Sequence, residues 1–264
     1  MTSSLPAPTD ASARDAIAHG SVVHGSVVLD AAWVSRWAAL AAQAIAANEN
    51  LLTELDRQIG DGDHGINMVR GWTAVADKLA QQASEPQTVG DVLKTIATTL
   101  MSTVGGAAGP LYGTAFLRAS KVTARPVIDA HGLVSLIEAA QEGIETRGRA
   151  SAGEKTMIDA WQPAAHAAET AATAHPAHAL AVLQAAAAAA DAGATATIGL
   201  LATKGRASYL GDRSIGHEDP GARSTAIILQ AAVEAAAVAD VEAASAAVVG
   251  VEAAGAEVAE ETAA

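Results

Sequence analysis

Cysteine is absent from the 264-residue chain, which excludes disulfide bridges and thiolate metal sites and says nothing about compartment. Aromatic residues make up only 3 % of a chain that is 50 % hydrophobic, so alanine carries most of the apolar content. Alanine is the best helix former and a poor strand former, and this composition predicts an all-α chain of closely packed helices. Positive charge is also scarce. Sixteen Lys and Arg stand against 29 Asp and Glu, for a formal net charge of −13, and no basic cluster offsets it, which argues against direct nucleic-acid binding. No apolar run approaches a membrane span. Residues Met1 to Leu29 lack the basic start and apolar core of a secretory signal. A soluble cytoplasmic protein without a membrane partner is therefore expected.

What is present is concentrated in Leu55-Asp-Arg-Gln-Ile-Gly-Asp-Gly-Asp-His-Gly-Ile-Asn67. Asp56, Asp61 and Asp63 fall close together, and Gly60 and Gly62 permit positive φ and remove side-chain bulk, so the backbone can turn tightly around them. Like charges about 4 Å apart repel by roughly 4 kcal/mol at an effective dielectric near 20. A divalent cation turns that repulsion into binding, and all-oxygen ligands suit Mg²⁺ or Ca²⁺. The alternative is a solvated Asp/Gly turn that splays its charges into water. Two overlapping motifs fail. Gly60-Asp-Gly-Asp-His-Gly65 fits the dinucleotide fingerprint, but no β-branched strand precedes it. Asp61-Gly-Asp63 could open an EF-hand loop, yet Ile66 and Trp72 stand where Gly and Glu are required.

Along the chain, residues 1 to about 25 have the composition of a disordered segment. Asp30 caps a helix to about Asn48, with Trp33, Trp37, Leu40, Ala41 and Ile45 on one face. The Asp-rich stretch follows a short helical turn, and a further helix runs from about Gly65 to Gln82. Val89, Val92, Leu93, Ile96 and Leu100 mark another amphipathic helix. It ends at Gly105-Gly-Ala-Ala-Gly-Pro110, where Pro110 suits the first turn of the next helix. Such a glycine-rich helix start attracts anions, although a tight interhelical turn explains the glycines equally well. Leu133 to Ile144 form one more helix. Gly148 to Thr156 then nearly matches a phosphate-binding P-loop, but with Glu154 inserted and no preceding strand, so that fold is rejected. Helices over about 155–173 and 177–192 follow. Lys204 to Ala222 gathers Lys204, Arg206, Arg213 and His217 in one glycine-rich loop, either a phosphate-binding element or a basic surface loop. Pro220 opens a helix to about Asp240, and Val241 to Val251 forms a last one.

Three aspartates, two glycine-rich loops and a basic loop are the components of a metal–nucleotide site. Taken together with Gly153-Glu-Lys-Thr-Met157, these stretches closely resemble the dihydroxyacetone kinase L family, over roughly residues 30 to 240. The resemblance implies an antiparallel eight-helix barrel with the nucleotide site at one end. It implies that Asp56, Asp61 and Asp63 hold two Mg²⁺ bridging the phosphates of ADP or ATP. It places His64, Gly65, Ile66, Asn67, Ala107, Ala108, Gly148, Met157, Arg206, Asp219, Pro220 and Gly221 around the nucleotide; on chemical grounds Arg206, a guanidinium in the basic loop of an acidic chain, is the expected catalytic residue. The implied partners are a K-type subunit that binds dihydroxyacetone and an M-type subunit that carries a phosphohistidine. A homodimer or a complex with the K subunit is the expected assembly. Two alternatives are an L subunit of an ATP-using kinase for dihydroxyacetone or another small ketose or tetrose, and a nucleotide sensor that docks a transcription regulator. The expected domain spans 30–250, between a 1–29 extension and a 251–264 Ala/Glu-rich tail. Ala108 departs from the family pattern, in which serine is common at that position.

Overall fold

The structure, a computed structural model, describes residues 27–82 and 87–238. The expected disordered start as far as residue 26, the helix over 241–251 and the 251–264 tail lie outside the described residues.

Helix α1 (Ala31–Ala47) opens as expected on Asp30, whose Oδ1 accepts the Trp33 amide at 2.8 Å. Its buried face carries Trp33, Trp37, Ala41 and Ile45, spaced as the helical period requires. The two indoles stack with centroids 5.4 Å apart. Each ring nitrogen also needs a partner once it leaves water. Trp33 Nε1 donates to the Ala232 carbonyl at 3.2 Å, and Trp37 Nε1 to that of Ile228 at 2.8 Å. Both acceptors belong to the last described helix, α9 (220–238), so the beginning and end of the fold are joined by polar bonds inside the core.

Between them lie α2 (Glu49–Ile59), α3 (His64–Gln81), α4 (Val89–Thr103), α5 (Ala108–Val122), α6 (Ala130–Gly148), α7 (Ile158–Ala174) and α8 (Ala179–Ala196). The chain is all-α, as its composition predicts. Capping fixes several starts: Thr88 and Asp91 form a capping box on α4, and Asp129 Oδ1 accepts the Gly132 amide at the start of α6. Pro110 falls in the first turn of α5, where its missing N–H has no helical acceptor to lose. Two features differ from expectation. The expected short turn before the aspartates is the eleven-residue helix α2. A two-residue bridge pairs β1 (Leu29–Asp30) antiparallel to β2 (Val127–Ile128), too short to leave a sequence period.

Helix α3 packs on α1, and from α3 to α8 each helix packs on the next. Arg223 of α9 forms an ion pair with Asp191 of α8. The stretch Ala179–Gly199 is long and apolar enough to cross a membrane, contrary to the expectation that no run approaches one. Its alanine content explains that apolarity, and Val182, Leu183, Ala186, Ala190 and Ala194 along it are buried in the core. The α2–α3, α4–α5, α6–α7 and α8–α9 connections all contribute residues to one cleft. That cleft is the candidate site.

Candidate functional site

One wall of the cleft is acidic and local. Asp56 sits in the last turn of α2, and its Oδ2 accepts the backbone amides of Asp63 at 2.8 Å and His64 at 3.1 Å. These bonds fold the 60–63 turn back onto the helix. Gly60 makes the fold possible through space rather than sign of φ: a Cβ there would lie 2.1 Å from Asp56 Oδ1. Gly62 does adopt positive φ, at 75°. Ligand oxygens of Asp56, Asp61 and Asp63 consequently lie within 4.8 Å of one another. Three carboxylates so close, with one oxygen of Asp56 already committed to amides, form a hard all-oxygen donor set that fits Mg²⁺ or Ca²⁺.

His64 begins α3 behind these acids. Burial lowers its pKa to about 4, despite the opposing pull of Asp56 and Asp63, so the imidazole is neutral at pH 7. Its Nε2 lies 2.9 Å from Ser224 Oγ, which lies 2.8 Å from the Tyr112 hydroxyl. Asn67, one turn further along α3, has its Oδ1 held by Arg70 Nη2 at 2.7 Å.

The facing wall is basic and assembled from distant segments. Arg206 reaches across to Asp61, Nη2 to Oδ2 at 2.9 Å. It starts a 3₁₀ stretch, Arg206–Ser214, broken by Gly211. Lys155 from the α6–α7 connection is buried, and its ammonium donates to the backbone carbonyls of Thr197 and Leu200 at 2.5 and 3.3 Å and also to that of His217. Asp219 caps α9 by accepting the Ala222 amide at 2.8 Å. Burial raises its pKa to about 7. The nearby charge of Asp159 adds to the rise, against the Ala222 bond and Lys155.

The cleft brings together most of the residues the sequence points to. Asp56, Asp61, Asp63, His64, Asn67, Ala107, Ala108, Met157, Arg206, Asp219, Pro220 and Gly221 all line it. Gly148 instead lines an adjoining cavity of about 330 Å³, walled also by Ile144 and Ala150, which shares Ala107, Leu111, Thr156, Met157, Lys204 and Gly205 with the cleft. Gly65 and Ile66 line neither cavity. A Cβ on Gly65 would lie 2.2 Å from the Glu49 carbonyl, so Gly65 allows α3 to approach α2, and Ile66 is exposed. Lys155 and Thr156, which are not among the expected site residues, also line the cleft, as does Lys204 of the expected phosphate-binding loop. The signal for Lys155 and Thr156 was the Gly153-Glu-Lys-Thr-Met157 run, which fails as a P-loop but is one of the stretches that carry the family resemblance; that for Lys204 was the glycine-rich basic loop.

The DAK2 domain family matches residues 58–234. The PEP-dependent dihydroxyacetone kinase 1, ADP-binding subunit DhaL, of Listeria innocua serovar 6a is 47 % identical over 205 residues, which cover 78 % of this chain and 96 % of the relative. The corresponding subunit of Escherichia coli strain K12 is 41 % identical over 75 % of this chain and 93 % of its own. Among solved structures, the dihydroxyacetone kinase of C. freundii in complex with AMP-PNP and Mg²⁺ aligns with a TM-score of 0.55 at 25 % identity. That alignment covers 89 % of this chain and 38 % of the larger enzyme.

Proposed function

The chain belongs to the DAK2-domain family, and on that premise we propose that it is the ADP-binding subunit of a phosphoenolpyruvate-dependent dihydroxyacetone kinase. Relatives with that name match it over nearly their whole length, which supports the L-type reading of this domain. The phosphoryl group would come from a phosphohistidine on an M-type subunit and go to dihydroxyacetone held by a K-type subunit, with ADP as the carrier between them. The observation that carries the reading is the meeting of three carboxylates, a glycine-rich helix start and Arg206 in one cleft.

In this reading α1 and α3 to α9 form an eight-helix barrel with the nucleotide at one end. The contacts of each helix with the next, and the indole bonds from α1 to α9, support that arrangement. Asp56, Asp61 and Asp63 would hold two Mg²⁺. When bound, these ions neutralise the phosphate oxygens and fix them for in-line transfer. The residues that begin α5 present backbone N–H groups without helical acceptors towards the same place. The apolar cavity beside Leu111, Ile144 and Met157 suits the base. Arg206, which faces Asp61 in this structure, would turn its guanidinium to charge developing on the transferring phosphoryl. Asp219, with its pKa near 7, is largely relieved of the negative charge that would repel a phosphate below that pH.

Binding and donor can be tested separately. ADP with Mg²⁺ at a hundred times its dissociation constant should stabilise the protein by about 2.7 kcal/mol, and EDTA should abolish most of that gain. A melting temperature indifferent to both sinks the nucleotide site. Reconstitution with K-type and phosphohistidine-carrying subunits should then form dihydroxyacetone phosphate. Turnover with free ATP and none with the carrier would replace the proposed donor.

A further inference from the structure

The least expected side chain in the molecule is Lys155. It is 1 % exposed, although it belongs to a connection between helices, and its backbone is in the left-handed region at φ 61°, where a non-glycine residue is disfavoured. A lysine ammonium has three donors. Here they are directed to the carbonyls of Thr197, Leu200 and His217, so none remains for a phosphate. The three acceptors lie at the two ends of the segment 201–216, which carries Lys204, Arg206 and Arg213. The Gly216 amide donates to the Ile198 carbonyl at 2.8 Å and closes the same neck. Within the segment, Gly205, Gly211 and Gly216 all have positive φ, and Tyr209 is 88 % exposed. Inside the loop the Ala202 amide donates to Ser214 Oγ at 2.9 Å, and Ala202 and Ala207 pack on Ile59; its neck is gathered on one buried cation.

We infer that Lys155 is a positioning residue: it holds the neck of the 201–216 loop so that Arg206 is presented to the phosphoryl site. The inference rests on the role given above to Arg206. Burial lowers the pKa of the ammonium, while Asp219, Asp159 and Glu218 act to raise it, so acids stand around the neck to support the charge. Lys155 needs no contact with the nucleotide to act. It works through the loop.

The test uses the full chain with Lys155→Met, and Lys155→Gln, which keeps two donors, should the first variant fail to fold. Expected are a dissociation constant for Mg·ADP within about threefold of wild type and a kcat lowered about 10- to 100-fold in the reconstituted transfer, as for a displaced catalytic group. Faster hydrogen exchange at the amides of 201–216 is also expected. The discriminating measurement is a double-mutant cycle with Arg206→Ala. If Lys155 acts through Arg206, then Lys155→Met lowers kcat no further once the arginine is gone. Multiplying losses beside a slow Arg206→Ala variant overturn the Lys155 assignment alone, as does unchanged exchange in the loop. An Arg206→Ala variant at the wild-type rate overturns the functional reading, and the assignment with it.

Discussion

The acidic wall of the cleft comes from a single helix end and the turn behind it, whereas the basic wall facing it is drawn from connections far apart in the chain. Asp56 binds amides seven and eight residues away. Lys155 binds carbonyls 42 and 62 residues away. The acidic wall is therefore set by local geometry as soon as α2 and α3 meet, and its cost is the repulsion of three carboxylates. The basic wall has the opposite character: Arg206 relieves some of that repulsion, but its loop is held by contacts drawn from the α6–α7 and α8–α9 connections. In the proposed function, such a division puts the metal ligands on one locally built turn and Arg206 on a separate loop that tertiary contacts hold in place.

The largest effect expected from breaking this division is at Asp63. Asp63→Ala should abolish Mg-dependent ADP binding, because two carboxylates leave a divalent ion under-coordinated and the phosphates facing bare acid. The nucleotide-free protein should meanwhile gain stability, on the order of 1 kcal/mol or less, since an exposed like charge has been removed. Titration calorimetry and urea unfolding read the two consequences separately. Wild-type affinity for Mg·ADP in the variant would show that the acidic wall is not the metal site.

The same division explains what could be read before the fold was known. The Asp30 cap and the helical period gave the extent of α1, and the period alone marked α4, because the Trp33/Trp37 and Val89-to-Leu100 spacings act within a few residues. The aspartate cluster was legible for the same reason. Lys155 was not: its partners are set by tertiary packing, and its left-handed φ leaves no mark in a Gly-Glu-Lys-Thr run. The paired β1 and β2 were likewise invisible, since two residues carry no alternation. Gly65 fell within the motif yet serves the packing of α3 against Glu49, a distinction that only the position of a missing Cβ reveals.

A smaller effect should appear in pH dependence, at the acid belonging to the basic wall. The folded pKa of Asp219 is raised from 3.8 to about 7, so the folded state holds a proton there that the unfolded chain has released. Its contribution to stability is fully present below about pH 4 and is lost as pH rises through 7. The slope approaches roughly 1.4 kcal/mol per pH unit within that window. Asp219→Asn keeps the cap on α9 and has no proton to lose, so the variant should become more stable relative to wild type as pH rises from 4 to 7. Parallel urea midpoints across that range would remove Asp219 from the account of the site.

The smallest expected effect sharpens the comparison on the side of the helix start. Ala108 is the first residue of α5, is 7 % exposed and lines the cleft, so its methyl group occupies a place where the dihydroxyacetone kinase L family commonly has a hydroxyl. The neighbouring N–H groups can bind phosphate oxygens without it, which is why its absence should weaken retention rather than prevent binding. Ala108→Ser adds one hydroxyl donor at little change in volume. A single net hydrogen bond contributes about 1 kcal/mol, so the dissociation constant of Mg·ADP should fall about fivefold, chiefly through slower release. Adenosine, which has no phosphates, should bind both proteins alike. If serine tightens adenosine as much as ADP, the start of α5 faces the base rather than the phosphates, and the orientation of nucleotide in the cleft must be reversed.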